Sequence, residues 1–231
     1  RATDHAIAGV HDAALVLRAK GYTGPLSIIP QFGVDPQQFH PVPREPGRPL
    51  TIGYAGRYVE EKGLFVLLDA LAGLEGDWRF VARGSGPLAG ALAARTAELG
   101  LAERVQILPP LPSTEMASFY QAIDLLVLPS LSRPNWKEQF GRVLIEAMAC
   151  GVPPVGSASG EIPNVIGDAG LIVAEGDPAA LRGALAHLMA DSAYRQHLGQ
   201  RGRQRVLAQF TQAQIARRTW DVYRQVLGVK S

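Results

Sequence analysis

Short apolar runs alternate along this chain with longer stretches in which apolar residues recur every three or four positions. The runs at 26–30, 50–55, 78–82, 104–108, 124–129, 154–156 and 171–174 predict strands. Several are apolar throughout, as strands buried on both faces should be. Helices are predicted between and after them, at 62–73, 86–99, 113–122, 140–150, 178–190, 192–208 and 211–227. In the first of these, Phe65, Leu68 and Leu71 recur at helical spacing. Ser113 reads as the N-cap of the third, and Asp177-Pro178 as an N-cap followed by a first-turn proline. Alternating strands and helices imply parallel βαβ units, so residues 50–175 predict a doubly wound α/β sheet. Pro41, Pro43, Pro46, Gly47 and Pro49 mark 41–49 as a linker. Before it, residues 6–20 look helical and the run at 26–30 leads through Gly33. After 176 the pattern is helical only.

Composition narrows the class. The 231 residues are 47% hydrophobic and 19% charged. That is enough to bury a full core without disulfides or metals and too apolar for a disordered chain. No apolar run approaches the roughly 18 residues of a membrane helix. With 23 basic and 21 acidic residues the net charge is +2, which gives no case for a nucleic-acid partner. The lysines are Lys20, Lys62, Lys137 and Lys230, and a lysine kept among so many arginines is a candidate for a specific task. A single cysteine, Cys150, rules out an internal disulfide framework and fits a reducing compartment. The histidines (His5, His11, His40, His187, His197) fall at no metal-ligand spacing. The first residue is Arg and no signal-peptide pattern follows, so the chain reads as a piece of a longer protein.

Ligands of open α/β sheets bind beyond the carboxyl ends of the strands, so the loops after each strand hold the candidate chemistry. After 50–55 come Arg57 and Lys62, two cations five residues apart in Gly56-Arg57-Tyr58-Val59-Glu60-Glu61-Lys62-Gly63. An arginine fork and a lysine point charge suit a diphosphate, whereas the plain alternative is a solvated helix start. After 78–82, Gly84-Ser85-Gly86-Pro87-Leu88-Ala89 matches a dinucleotide-type glycine pattern. It follows the second core strand rather than the first, and a tight strand-to-helix turn explains it equally well. After 124–129 comes Glu138-Gln139-Phe140-Gly141-Arg142-Val143-Leu144-Ile145-Glu146, with one glutamate before a helix and one inside it. Eight helical residues would rise about 12 Å, so the two carboxylates are expected to share neither a proton nor a metal. They could grip hydroxyls at opposite ends of an extended ligand, and Glu138 is then expected to be indifferent to a bare nucleoside diphosphate. The helix N-terminus around Phe140, Gly141 and Arg142 offers free N–H groups to an anion. Glu146 is flanked by apolar Val143, Leu144, Ala147 and Met148, so its carboxylate needs a partner. Cys150 reads as a small buried residue at the helix end.

Taken together these motifs resemble the C-terminal, donor-binding half of a retaining GT-B glycosyltransferase, of the type grouped as family 4 or glycosyl transferases group 1. The residues that carry the resemblance are Gly56-Arg57 with Lys62-Gly63, Gly84-Ser85-Gly86-Pro87, the pair Glu138 and Glu146 in EQFGRVLIEAMACG, and SGEIPNVIGDAGLIV at 159–173. The segment Ile28-Ile29-Pro30-Gln31-Phe32-Gly33-Val34-Asp35 resembles the crossing from the other half. The resemblance implies that Arg57 and Lys62 hold the diphosphate and that Glu146 bonds the ribose. Glu138, with the backbone of Phe140 and Gly141, would face the sugar. Arg142 and Val143 would offer N–H groups to the phosphates, and the main chain of Pro110 and Leu111 would meet the base. It also implies catalysis by Glu138, Arg57 and Lys62 with neither cofactor nor metal, and a nucleoside-diphosphate sugar as substrate.

The implied organisation is a remnant of the N-terminal domain with its crossover (1–40), the linker (41–49), a Rossmann-like donor domain (50–210), and a C-terminal helix (211–231). That helix would cross back to an N-terminal domain absent here, which would bind the acceptor. Relatives that build polysaccharides or glycolipids imply a cytoplasmic location and leave room for peripheral work at the inner face of a membrane. Pro154, where such enzymes often have valine, is a departure that trims a strand. A GT-B-shaped nucleotide-sugar epimerase, a stand-alone nucleotide-binding module and a nicotinamide dehydrogenase are the alternative readings, and the placement of Glu138 and Glu146 favours the transferase.

Overall fold

The computed structural model describes residues 3–43 and 47–228. Its strands are β1 (Ala6–Ala8), β2 (Leu26–Ile28), β3 (Leu50–Ala55), β4 (Trp78–Arg83), β5 (Val105–Leu108), β6 (Leu125–Leu128), β7 (Pro154–Ser157) and β8 (Leu171–Val173). Its α-helices are α1 (His11–Ala19), α2 (Leu64–Ala72), α3 (Ala89–Glu98), α4 (Met116–Ala122), α5 (Arg142–Ala149), α6 (Ile162–Ile166), α7 (Pro178–Ala190), α8 (Ser192–Gln209) and α9 (Gln212–Leu227). No helix among the described residues is long and apolar enough to cross a membrane.

Six strands form one parallel sheet in the order β5-β4-β3-β6-β7-β8. The chain starts in the middle at β3, builds outward to β5, then returns to β6 on the other side of β3. The order therefore reverses between β3 and β6, and the crevice beyond the carboxyl ends of these two strands is where such sheets take their ligands. The central strands are buried on both faces: Leu125, Leu126 and Val127 have no measurable exposure. Their near-continuous apolar sequence is what a parallel strand covered by helices on two sides requires. On one side α5 packs on β6 and β7 and is covered by α8.

A separate parallel pair, β1 with β2, joins through α1. Here the helix expected over 6–20 is corrected: residues 6–8 are a strand and helix begins only at His11. Ala-Ile-Ala is too short to show a period of two, and its alanines suit a helix as well as a strand. Pairing with β2 decides the matter, with Ala8 opposite Ile28. Phe210, Thr211 and Gln212, at the junction of α8 and α9, clamp the crossover segment through Val34 N–H to the Phe210 carbonyl at 2.9 Å and Gln212 N–H to the Val34 carbonyl at 3.2 Å. A Cβ on Gly33 would lie 2.7 Å from the Gln212 nitrogen, so only glycine lets these segments meet. From there α9 runs back along the β1–β2 unit, with Arg218 donating to the Ile28 carbonyl at 2.5 Å.

Several helix starts differ from expectation, and two of them show why. Ser113 caps nothing: the residues before α4 form a turn with Glu115 N–H bonded to the Pro112 carbonyl, and Glu115 is the N-cap. The helix expected from 86 starts at Ala89, because Leu88 N–H is already committed to the Tyr58 carbonyl. Asp177 does cap α7, accepting from Ala180 N–H at 2.9 Å. Residues 1, 2, 44–46 and 229–231, parts of the terminal and linker segments delimited above, lie outside the described residues.

Candidate functional site: a paired lysine and glutamate at the switch point

Lys62 ends a short 3-10 turn (Glu60–Lys62) in the loop after β3. Gly63 follows with φ of 67°, and a Cβ there would stand 2.0 Å from the Pro129 carbonyl oxygen. Glycine is thus what allows the loop to press against the end of β6. Leu131 N–H bonds the Glu61 carbonyl at 2.8 Å and completes the seam. The Lys62 ammonium then lies 2.5 Å from Glu138 Oε2, across the crevice. Ser130 Oγ donates to the same oxygen at 2.8 Å, and the Trp136 ring lies against the ammonium at 5.1 Å. Only 13% of the Lys62 side chain and 10% of the Glu138 side chain remain exposed.

Further loops brace this pair from behind. Glu161 N–H bonds the Glu138 carbonyl at 2.9 Å, and a Cβ on Gly160 would come within 2.1 Å of that oxygen. Ser157 Oγ bonds the Ser130 carbonyl at 2.5 Å. Glu175 accepts from Ser132 N–H and Oγ at 2.5 and 2.7 Å. The Glu161 carboxylate faces the N-terminal unit, where it meets His11 Nδ1 at 2.5 Å.

The second glutamate has a different environment. Glu138 lies outside any helix: α5 starts at Arg142, after Gly141 at φ of 71°. The eight-residue helical rise expected between the carboxylates is therefore corrected, since 138–141 are not helical. Their separation is one of partners. Glu146 accepts from Tyr120 Oη at 2.7 Å and from Arg142 Nε at 2.8 Å, and is buried. Burial raises its carboxyl above the usual range, and the Tyr120 and Arg142 bonds pull it partway back. Burial likewise raises the Tyr120 hydroxyl, which keeps it protonated as a donor.

The two cations expected to hold a diphosphate are each paired with a carboxylate. Arg57 reaches Glu61 at 3.4 Å but is 64% exposed, so the pair is weak and the guanidinium can swing. At the start of α5 the N–H groups of Arg142 and Val143 precede the first helical acceptors, as the first N–H groups of a helix do. The Phe140 ring packs between Phe32 and Phe210, with centroids 6.0 Å from each. That buries the side chain and leaves the backbone at 140–141 as the part a ligand can meet. Pro110 is exposed and Leu111 half-buried, after β5. β5 is two strands from β3, about 10 Å at ordinary strand spacing. The candidate residues thus lie along the carboxyl edge, from Leu111 after β5 to the Lys62–Glu138 pair.

The glycine pattern after β4 has a packing cause. A Cβ on Gly84 would lie 1.8 Å from the Gly56 carbonyl oxygen, and one on Gly86 would lie 2.4 Å from the Tyr58 carbonyl oxygen. Tyr58 N–H bonds the Ser85 carbonyl at 2.8 Å, so the two loops lace together and the turn reading holds. Tyr120, Ser130 and Trp136 contact the candidate residues Glu146, Glu138 and Lys62, and sequence reasoning did not single them out, whereas Glu161 lies in the 159–173 motif. Among the described residues there is no cluster of three or more metal-ligand side chains.

Residues 35–205 match the family model described as glycosyl transferases group 1. The chain belongs to that family. A curated relative, the D-inositol 3-phosphate glycosyltransferase of Corynebacterium diphtheriae, is 34% identical over 185 residues, 75% of this chain and 42% of the relative. The enzyme of the same name from Mycobacterium marinum is 36% identical over 150 residues, 59% of this chain and 31% of the relative. The matched span is thus less than half the length of these relatives. Among solved structures, sucrose-phosphate synthase from Thermosynechococcus elongatus is 30% identical with a TM-score of 0.81, covering 99% of this chain and 60% of that one. Anabaena HepE, solved with UDP and glucose, shares the fold with a TM-score of 0.83 at 20% identity, over 96% of this chain and 64% of that one. The six-stranded parallel sheet and its flanking helices match such GT-B glycosyltransferases.

Proposed function

We propose that this group 1 chain is the donor-binding half of a metal-independent retaining glycosyltransferase of the family 4 type. The full-length enzyme moves a sugar from a nucleoside-diphosphate sugar to an acceptor held by a preceding domain. The observation that carries this reading is the Lys62–Glu138 pair, held 2.5 Å apart at the switch point beside the Gly141-led start of α5. A buried cation, a swinging Arg57 and unpaired helix N–H groups are what a diphosphate needs, and a carboxylate at the same point is what a sugar hydroxyl needs. Lys62 and Arg57 hold the diphosphate with the N–H groups of Arg142 and Val143. Glu146, already accepting from Tyr120, takes the ribose hydroxyls. Glu138 and the backbone of Phe140 and Gly141 face the sugar, and the main chain of Pro110 and Leu111 meets the base. As the bond from sugar to diphosphate breaks, negative charge grows on the leaving phosphate. Lys62, Arg57 and the α5 N-terminus stabilise that charge from fixed positions, an electrostatic form of catalysis.

Calorimetry with UDP, GDP and ADP, with and without a chelator, tests the reading. At least one diphosphate is expected to bind, with an affinity that the chelator leaves unchanged. Loss of binding in the chelator would overturn the metal-independent mechanism. The full-length protein should also transfer the donor sugar with retained anomeric configuration, read by NMR of the product, and an inverted product would overturn the stereochemical part.

A further inference from the structure

Arg83 closes β4 at the carboxyl edge, held opposite Ala55 of β3 and Leu108 of β5. Its guanidinium has five N–H donors. Among the described residues one hydrogen bond uses them, Nη1 to the Pro109 carbonyl at 3.5 Å, the outer limit of such bonds. The Nε–H is buried with no partner among the described residues, which is a costly state for a donor. Arg83 makes no ion pair among the described residues. It lines a groove of about 450 Å³ together with Gln106, Leu108, Leu111, Glu115 and Phe119. Arg83 and Leu108 end their strands at the carboxyl edge, and Leu111 and Glu115 follow β5, so these lining residues belong to the edge where ligands of such sheets bind. Leu111 is also where the proposed donor presents its base. The same groove therefore holds an under-used strong donor and an exposed carboxylate acceptor.

We propose that Arg83 and Glu115 read the base of the donor nucleotide, selecting a base with a lactam edge over adenine. A lactam edge, as in uracil and guanine, carries a carbonyl oxygen next to a ring N–H. Arg83 donates to the carbonyl and Glu115 accepts from the ring N–H. Adenine reverses both groups, with an amino donor and a ring-nitrogen acceptor. It would set donor against donor and acceptor against acceptor, which a site built from polar groups rejects strongly. This inference rests on the donor reading given above.

Titration calorimetry of the protein with UDP, GDP and ADP decides it, using the wild type, Arg83→Met and Glu115→Gln. UDP or GDP should bind the wild type at least about tenfold more tightly than ADP. Arg83→Met should cost the preferred diphosphate about tenfold and leave ADP within about twofold, because a hydrogen bond from a charged donor is lost only where a carbonyl receives it. Glu115→Gln alters an exposed side chain, so it tests selectivity even if the arginine variant folds poorly, and it should narrow the same preference. Equal wild-type affinity for all three, or a preference for ADP, overturns the proposal. So does an equal loss for all three in Arg83→Met, which would assign Arg83 to the phosphates. Absence of any binding would overturn the donor reading itself, an outcome distinct from unselective binding.

Discussion

Glu138→Gln should tighten binding of a bare nucleoside diphosphate while lowering sugar transfer. In the structure the Lys62 ammonium is not waiting for a phosphate; it is 2.5 Å from Glu138. A phosphate reaching the same ammonium from the open side would sit about 2.8 Å from it, a usual charge-assisted distance. The two anionic oxygens would then lie up to about 5 Å apart. Coulomb's law puts their repulsion between about 1 kcal/mol at the dielectric of water and about 3 kcal/mol at an effective value of 20. The pair is mostly shielded from solvent, so the upper half of that range is the better guide. Glutamine keeps an oxygen for Lys62 and for the Ser130 hydroxyl, 2.8 Å away in the native protein, but removes the charge. The dissociation constant of UDP or GDP should fall by about tenfold or more. This replaces the expectation that Glu138 is indifferent to the bare diphosphate, because that expectation took the two carboxylates as independent.

Calorimetry on the wild type, Glu138→Gln, Lys62→Met and the double variant measures the effect. If Lys62 mediates it, the gain from Glu138→Gln should vanish in the Lys62→Met background, giving a non-additive cycle. Unchanged or weaker diphosphate binding in Glu138→Gln would refute the reasoning, as would the same gain in both backgrounds. In the full-length enzyme, turnover of the intact sugar donor should fall, since Glu138 faces the sugar.

Tyr120→Phe removes a 2.7 Å bond to the buried Glu146 and should cost about 1–3 kcal/mol of stability, measured by urea unfolding. It also acts on pH dependence. Burial holds the Glu146 carboxyl above its ordinary range, so the folded state keeps a proton that the unfolded chain has lost, and stability falls as pH rises through that window. Tyr120 opposes the upward shift, so Tyr120→Phe should widen the window and deepen the loss, visible in unfolding series from acid to neutral pH. Gly63→Ala forces a left-handed residue and a 2.0 Å approach to the Pro129 carbonyl oxygen. The left-handed backbone alone costs about 1–2 kcal/mol, or roughly 2–8 °C in Tm, and the displaced Lys62 should weaken diphosphate binding in calorimetry.

The sheet was legible because its strands are short, apolar and spaced by amphipathic helices. The strand at 50–55 and the helix at 178–190 have the expected bounds. What escaped was decided by tertiary pairing. The β1 strand exists because β2 lies beside it, and its three residues hold too little pattern to show that. Ser113 had the right chemistry for a cap, but Pro112 and the turn after it moved the helix start two residues beyond. Gly84 and Gly86 fitted a ligand-binding fingerprint and equally a tight turn. Only the position of Gly56 and Tyr58 against them favours the turn.

The candidate site was legible as a set of loops, because sheet topology alone brings the loops after β3 and β6 together. Its pairings were not, because they span the chain: Lys62 meets Glu138 at 76 residues' separation and Tyr120 meets Glu146 at 26. No periodicity encodes such contacts. The apolar neighbours of Glu146 did require a partner for it, and the structure supplies two, one adjacent on the helix and one from α4. The same reasoning had no purchase on Lys62, which stands among Glu60, Glu61 and Gly63 and looks solvated in sequence. Its burial comes from the loop after β6, which brings Trp136, Ser130 and Glu138 against it. A group that looks free in sequence and is paired in the fold changes the energetics of its proposed task. A diphosphate does not fill an empty cation; it competes with Glu138 for one, so the carboxylate proposed to handle the sugar also sets how tightly the phosphate is held.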